Sequence, residues 1–153
     1  MKKKDLDYLR PTKSIVKNAI FNILGDISEL KFLDLFAGTG QIGLEAERRG
    51  AKVTFVEKNR KLAQEIKKKT KSGKVITGDA FRFLESTKEK FHVIFADPPY
   101  LLSDKDYERL IKLALSKLEE GGVFILEHEK KRRFNAPEER QYSDTLLSIW
   151  SKE

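Results

Sequence analysis

The chain of 153 residues carries 31 Lys and Arg against 24 Asp and Glu, a net charge of +7, with no cysteine and two distant histidines, His92 and His128; a disulfide framework and a thiolate zinc site are excluded, and no metal is expected. No apolar run is long enough to cross a bilayer, and none follows the charged start MKKKDLDYLRPT, so no membrane association and no secretory signal are expected, and the compartment expected is the cytoplasm. The basic balance, with a pI near 9.5, suits an anionic partner such as nucleic acid, although a charge-rich, heat-adapted surface explains the composition equally well.

The length predicts one domain over 1–153 with a single core, its first 25 residues forming a basic arm and an entry helix. In that helix TKSIVKNAIFNIL places Val16, Ala19, Ile20, Ile23 and Leu24 on one face, with Gly25 as the stop. KFLDLF then reads as a buried strand, followed by a glycine turn and a short helix, QIGLEAERRG, closed by Gly50. The alternation continues through strand KVTFVE, a helix from about Arg60 to Lys71, strand KVITGD, short helix AFRFLES and strand FHVIFAD. A helix from about Asp106 to Leu118 and strand GGVFILEHE complete it. Strands alternating with helices predict an α/β fold, a parallel sheet covered on both faces. ERQYSDTLLSIWS breaks the alternation with two β-rich segments around Ser143 and Asp144, which predicts a C-terminal hairpin that adds an antiparallel strand.

Open sheets of this kind bind ligands beyond the carboxyl ends of their strands, where the winding changes direction. Asp34, Glu57, Asp79 and Asp97 each fall at or near such an end, so an acidic rim is expected on a basic protein. The stretch DLFAGTGQIG contains G-x-G-x-x-G, which often receives a pyrophosphate, but Asp34 just before it would repel one. S-adenosylmethionine, with a sulfonium, an ammonium, ribose hydroxyls and an adenine amino group, suits such a rim better. On this reading Gly38 and Gly40 let the backbone approach the methionine part, and Gly43 permits close helix packing. Asp34 meets the ammonium, Glu57 accepts from the ribose hydroxyls, Asp79 accepts from the adenine amino group, and Ala80 or Phe81 helps wall the ring. Taken singly, the glycines also suit an ordinary turn, and Glu57 and Asp79 also suit solvated caps.

VIFADPPY runs an apolar strand into Asp97, Pro98, Pro99 and Tyr100. A nucleobase amino group is a poor nucleophile, its lone pair delocalised into the ring, and it carries two N–H donors. The Asp97 carboxylate and the Pro98 carbonyl can accept both and draw the nitrogen towards tetrahedral geometry. The prolines fix the loop, and the ring of Tyr100 offers a face to a base that is single-stranded or flipped out. A rigid strand exit is the plainer explanation of Pro-Pro.

RPT followed by AIFNIL, then DLFAGTGQIGLEA, FVEKN, GDAFRFL, FADPPY and GGVFILEHEK together resemble the bacterial small-subunit (16S) ribosomal RNA guanine-N2 methyltransferases of the RsmD type, from Arg10 to nearly the C-terminus. The resemblance implies a single-domain Rossmann-like class I methyltransferase with a mostly parallel seven-stranded sheet. It implies N2-methylation of guanine from S-adenosylmethionine, with Asp97, Pro98, Pro99 and Tyr100 catalytic. The cofactor set it implies is the glycine loop with Phe36, together with Glu57, Lys58, Asp79, Ala80 and Phe81. Arg10, Thr12 and Tyr100 would meet ribosomal RNA, free or within a partly assembled small subunit, and a monomer is expected. The chain departs from the family pattern in having nine residues before Arg10, and in Ile15 and Asn18 where arginine and glutamate are common. Lys13, Lys17 and the run Lys130 to Arg133 read either as an RNA-facing edge or as plain surface. DNA adenine-N6 or cytosine-N4 methylation needs the same amine chemistry, but the chain has no room for a target-recognition domain. A protein-glutamine methyltransferase, a non-catalytic cofactor-binding module and a nicotinamide dehydrogenase are the remaining alternatives.

Overall fold

The structure is a computed structural model that describes residues 14–99 and 102–153. Its elements in chain order are α1 (Ser14–Leu24), β1 (Lys31–Leu35), α2 (Gln41–Arg48), β2 (Lys52–Glu57), α3 (Arg60–Lys69) and β3 (Lys74–Thr77). There follow α4 (Ala80–Ser86), β4 (Phe91–Ala96), α5 (Asp104–Ser116), β5 (Leu118–Glu129), β6 (Glu138–Tyr142) and β7 (Thr145–Ser151). The strands form one sheet in the order β3-β2-β1-β4-β5-β7-β6. The first five run parallel, while β7 enters antiparallel to β5 and pairs with β6. The chain therefore winds outward from β1 to β3 and then crosses to the other side of β1, which puts the switch point between β1 and β4.

The burial of successive strand residues follows from cover on both faces. In β1, Phe32 points to one core and Leu33 to the other, and both are fully buried. One face is packed by Val16, Ile20 and Phe21 of α1, Ile42 and Leu44 of α2 and Ile66 of α3. The opposite face takes Ala80, Phe81 and Leu84 of α4 and Tyr107, Leu110 and Ala114 of α5. Each large apolar side chain so buried contributes about 1.5–3 kcal/mol. Phe21 lies outside the apolar set expected for the entry helix, yet it is buried and stacks with Phe32 at a centroid distance of 6.4 Å. Gly25, at φ 69°, ends α1 by donating its N–H to the Phe21 carbonyl at 3.0 Å. The chain then turns directly into β1, so α1 runs back along the sheet and its first turn lies at the carboxyl-end rim.

Several boundaries differ from the periodicity, three of them for a clear local reason. Ser103 caps α5, its hydroxyl accepting the Asp106 N–H at 3.1 Å, so the helix begins at Asp104. Helix α3 stops at Lys69 because the Glu47 carboxylate accepts the N–H groups of Lys71, Ser72 and Gly73 at 3.0–3.2 Å, and the hydroxyl of Thr70, drawing the chain out of the helix. Strand β5 starts at Leu118, which pairs with Phe91, and a register shift between Phe91 and Val93 accommodates Gly121 at φ 79°. The C-terminal hairpin forms as expected, turning at Ser143 (φ 55°) and Asp144 with Tyr142 opposite Thr145.

Helix α2 sits unusually close to the sheet. A Cβ at Gly43 would lie 2.4 Å from Phe55 Cε2 and 2.9 Å from Asp34 Oδ2, both fixed core groups. Gly43→Ala should therefore destabilise the fold by about 1–3 kcal/mol, read as a lowered midpoint in urea unfolding; an unchanged midpoint would show that this close approach is not required.

Candidate active site

Leu35 lies opposite Ala96 across the β1–β4 pair. The loops that leave these two strands, 36–40 and 97–99, therefore start side by side at the switch point. Glu57 ends the neighbouring strand β2, and Asp79 follows β3 by two residues. The four acids expected at strand ends are thus gathered along one rim, but the first three are used in ways the sequence alone did not reveal.

Asp34 is sunk beneath the glycine loop, 1% exposed, with Oδ2 accepting the Gly43 N–H at 3.0 Å. Burial pushes its carboxyl up from 3.8 to about 8, against the lowering effect of the Gly43 hydrogen bond, while the nearby Glu57 carboxylate pushes it further in the same direction. The openly displayed anion of the expected rim is therefore replaced by a buried carboxyl whose neutral form is favoured by desolvation.

The loop itself is bent by positive φ angles at Phe36 (56°), Gly38 (60°) and Gly40 (79°). Phe36 holds this conformation without being glycine, a strained arrangement that recurs at ligand-binding turns. The turn is fixed by Ala37 N–H to the Val56 carbonyl at 3.1 Å and Gly40 N–H to the Ala37 carbonyl at 2.8 Å. Glu57 ties it from the side, Oε1 accepting Gly38 N–H at 2.7 Å and Oε2 accepting Asn59 N–H at 2.8 Å. An ionised carboxylate has about four acceptor directions, so each oxygen keeps one for a further donor. A Cβ on Gly38 would meet only the Phe36 carbonyl oxygen, at 4.0 Å, so the space above this glycine is open; at Gly40 it would press on Ile66 at 3.0 Å.

Asp79 caps α4, Oδ2 accepting the Arg82 N–H at 3.0 Å. Ala80 and Phe81 are buried behind it, and Phe81 stands edge-on to Phe36 with centroids 6.3 Å apart. The guanidinium of Arg109 lies 4.9 Å over the Phe81 ring and pairs with Glu85, which fixes that wall. Lys58 is exposed and, with Gly78, Asp79 and Arg82, lines an open cleft of about 540 Å³ beyond the β3 end. Of the Asp-Pro-Pro segment, Asp97 is half-buried, Pro98 buried and Pro99 exposed, with Leu102 N–H donating to the Pro99 carbonyl at 3.4 Å. Tyr100, Arg10, Thr12 and Lys13 lie outside the described residues.

Sequence reasoning missed Asn59 and Arg109. Asn59 caps α3, accepting Leu62 N–H at 3.0 Å, while its own N–H orients Glu57; the signal was an Asn directly before a helical apolar pattern. Arg109 gave no sequence signal, because its ring partner is 28 residues away. Lys17 pairs with Glu45 at 3.6 Å. In the basic run, Lys130 pairs with Asp144, Arg132 with Asp104 and Arg133 with Glu139. These cations brace the loop after β5 against α5, β6 and the hairpin turn, so the run is in good part structural.

A seven-stranded sheet in this order, with a glycine loop after β1, an acid ending β2 and Asp-Pro-Pro after β4, is the architecture of a class I S-adenosylmethionine-dependent methyltransferase. The family model described as conserved hypothetical protein 95 matches residues 1–146. This chain belongs to that family, the RsmD family. It is 36% identical over 135 residues to YlbH of Bacillus subtilis, covering 80% of this chain and 72% of that protein. It is 30% identical over 141 residues to ribosomal RNA small subunit methyltransferase D of Haemophilus influenzae, covering 85% and 73% respectively. Among solved structures, Thermus thermophilus protein TTHA0928 superposes with a TM-score of 0.85 at 28% identity, covering 92% of this chain and 87% of that one.

Asp34 has a measurable consequence. Between pH 3.8 and about 8 the folded protein retains a proton that the unfolded chain has lost, so this group's contribution to stability falls as pH rises through that window. Asp34→Asn keeps an acceptor for Gly43 and removes the titration. Urea unfolding at pH 5 and pH 8 should show a smaller loss of stability with rising pH in the variant than in the wild type; equal losses would show that Asp34 is not the responsible group.

Proposed function

We propose that this protein methylates the exocyclic N2 amino group of a guanine in 16S ribosomal RNA, using S-adenosylmethionine. The observation that carries the proposal is the juxtaposition of the glycine loop and the Asp97-Pro98-Pro99 segment at the switch point, through the Leu35–Ala96 register. The residues present fit the cofactor: an open space over Gly38, free acceptor directions on Glu57 for ribose hydroxyls, and the Asp79 carboxylate with the Phe36–Phe81 wall for an adenine. Phe36, Gly38, Gly40, Glu57, Lys58, Asp79, Ala80 and Phe81 would hold it, with Asp34 below receiving the influence of its ammonium. Bound there, the cofactor supplies an electrophilic methyl group on a sulfonium.

The second substrate is handled by the protein's own groups. Asp97 and the Pro98 carbonyl accept the two N–H bonds of the base amine, which frees the nitrogen lone pair from the ring. As positive charge develops on that nitrogen, the Asp97 carboxylate stabilises it more than it stabilised the neutral amine, and the same group is placed to receive the proton that must leave. Tyr100 supplies the stacking face, and Arg10 and Thr12 the first RNA contacts. The family relationship supports ribosomal RNA methylation; the guanine and its N2 atom follow from the resemblance in the motif set. We further propose that the protein acts in the cytoplasm as a monomer, on RNA that is free or in a partly assembled small subunit. No helix among the described residues is long and apolar enough to cross a membrane.

The direct experiment incubates the protein with methyl-labelled S-adenosylmethionine and either 16S RNA or small-subunit particles from cells lacking the enzyme, then digests the RNA to nucleosides. Label in N2-methylguanosine is the expected result; label in another nucleoside, or in none, would overturn the assignment. Asp97→Ala should lower the methylation rate by about 10²–10³-fold, as loss of one transition-state acceptor does, with cofactor affinity retained. Glu57→Ala should weaken cofactor binding by about 1.5–3 kcal/mol, measured calorimetrically, since it removes a charged acceptor and the brace on Gly38; unchanged affinity would place the ribose elsewhere.

A further inference from the structure

Glu57, Asp79 and the glycine loop all belong to the β3-β2-β1 half of the sheet, so a cofactor held by them leaves the β4-β5-β7-β6 half for the second substrate. On that half, α1 and the edge strand β6 border an open groove of about 740 Å³. Its floor strand offers Glu138, Arg140 and Tyr142, every second residue of β6, directly opposite Ile149, Leu147 and Thr145 and hence on the same face. Its wall is one stripe of α1, with Ile15, Asn18 and Asn22 spaced at helical intervals. The groove climbs to the rim that bears Asp97. Tyr142, at the end of β6 paired with the start of β7, and Ile15, in the first turn of α1, mark its upper mouth.

The lining chemistry is that of a single-stranded nucleic acid track. Arg140 has five N–H donors, and Glu138 Oε2 takes two of them, Nε at 3.0 Å and Nη2 at 2.7 Å, which holds the fork still and leaves the others for a phosphate. The Tyr142 hydroxyl faces the same guanidinium, and its ring, packed in part against the core beneath β6, keeps an exposed portion lining the groove for a base to stack on. Asn18 and Asn22 offer one amide each, one helical turn apart, suited to base edges. Ile15 is 64% exposed, the one exposed large hydrophobic side chain among the described residues, and an unstacked base would cover it.

Resting on the proposed RNA methylation, we propose that this α1–β6 groove receives the single-stranded RNA that adjoins the target nucleotide, with Arg140 on a phosphate and Tyr142 stacked on a base. The groove thereby selects an unpaired or opened segment, because a duplex presents no free base face to Tyr142.

The test measures binding of a fluorescein-labelled 20-nucleotide single-stranded RNA, and of the same sequence as a duplex, together with cofactor affinity and the methylation KM for 16S RNA. Tyr142→Ala should weaken single-strand binding about tenfold and Tyr142→Phe should restore it, because the ring rather than the hydroxyl does the stacking. Arg140→Ala, at an exposed side chain, should weaken binding and reduce the slope of log affinity against log salt by about 0.7, the loss of one phosphate contact. KM for RNA should rise in both while cofactor affinity and the melting temperature of Arg140→Ala stay unchanged, and Lys112→Ala on the far face should alter none of these quantities. Unchanged RNA affinity in Tyr142→Ala and Arg140→Ala would overturn the groove assignment even with the methylation intact, whereas a wild type that methylates no RNA would overturn the functional reading and the groove with it. A concentration-dependent dimer abolished by Tyr142→Ala would show instead that a second copy of the chain fills the groove.

Discussion

The hydrogen bond from the Gly43 N–H to Oδ2 of Asp34 is the constraint on which the rest of this structure depends. It docks the first turn of α2 directly on the sheet, at a distance that only a residue without Cβ permits, and so sets the height of the loop 36–40 above the end of β1. A carboxyl buried there is costly as an anion, which is why its ionisation is displaced upward to about 8. The cost is tolerable because the group has a donor and because a neutral acid serves the fold equally well. A buried carboxyl of this kind also becomes responsive, since the arrival of a positive ligand overhead favours the ionised form that folding alone disfavours.

Glu57 and Asp79 repeat this double use more mildly. Each carboxylate is oriented by backbone N–H groups of the protein itself, Gly38 and Asn59 for the first and Arg82 for the second. Their positions are therefore fixed by the same hydrogen bonds that close the loop and cap the helix, and binding a ligand costs little further ordering. An aromatic wall follows the same logic, since Arg109, Phe81 and Phe36 hold one another in place across three elements. The acidic ends of β2 and β3 are thus both structural caps and candidate binding groups, and the choice between the two readings dissolves.

The two halves of the sheet divide the work. On the β3-β2-β1 side lie the glycine loop and the braced acids; on the β4-β5-β7-β6 side lie Asp97, the braced basic loop and the α1–β6 groove. The ion pairs of Lys130, Arg132 and Arg133 are exposed, each worth little alone, but together they tie the loop after β5 to α5 and to the C-terminal hairpin. The antiparallel entry of β7 gives that hairpin its place, and β6 becomes the edge strand, among the described residues, against which α1 can open a groove.

Much of this was legible in the chain, because periodicity and punctuation are local properties. Every strand and helix among the described residues has its counterpart in the apolar pattern, and the clustering of acids near strand ends followed from that pattern and the switch-point rule. What the sequence could not determine was the direction in which each side chain spends its hydrogen bonds. Asp34 reads as a rim anion and is instead buried on Gly43; the Glu47 carboxylate, unremarkable in its helix, ends α3 more than twenty residues away. Arg109 and Phe21 take their roles from partners on other elements, and the α1–β6 groove exists only because β7 crosses back beside β5. Chain order and residue type decide which elements form, since those depend on neighbours a few residues apart; burial, proton affinity and the shape of a cleft depend on which distant surfaces meet, and only the folded chain brings them together.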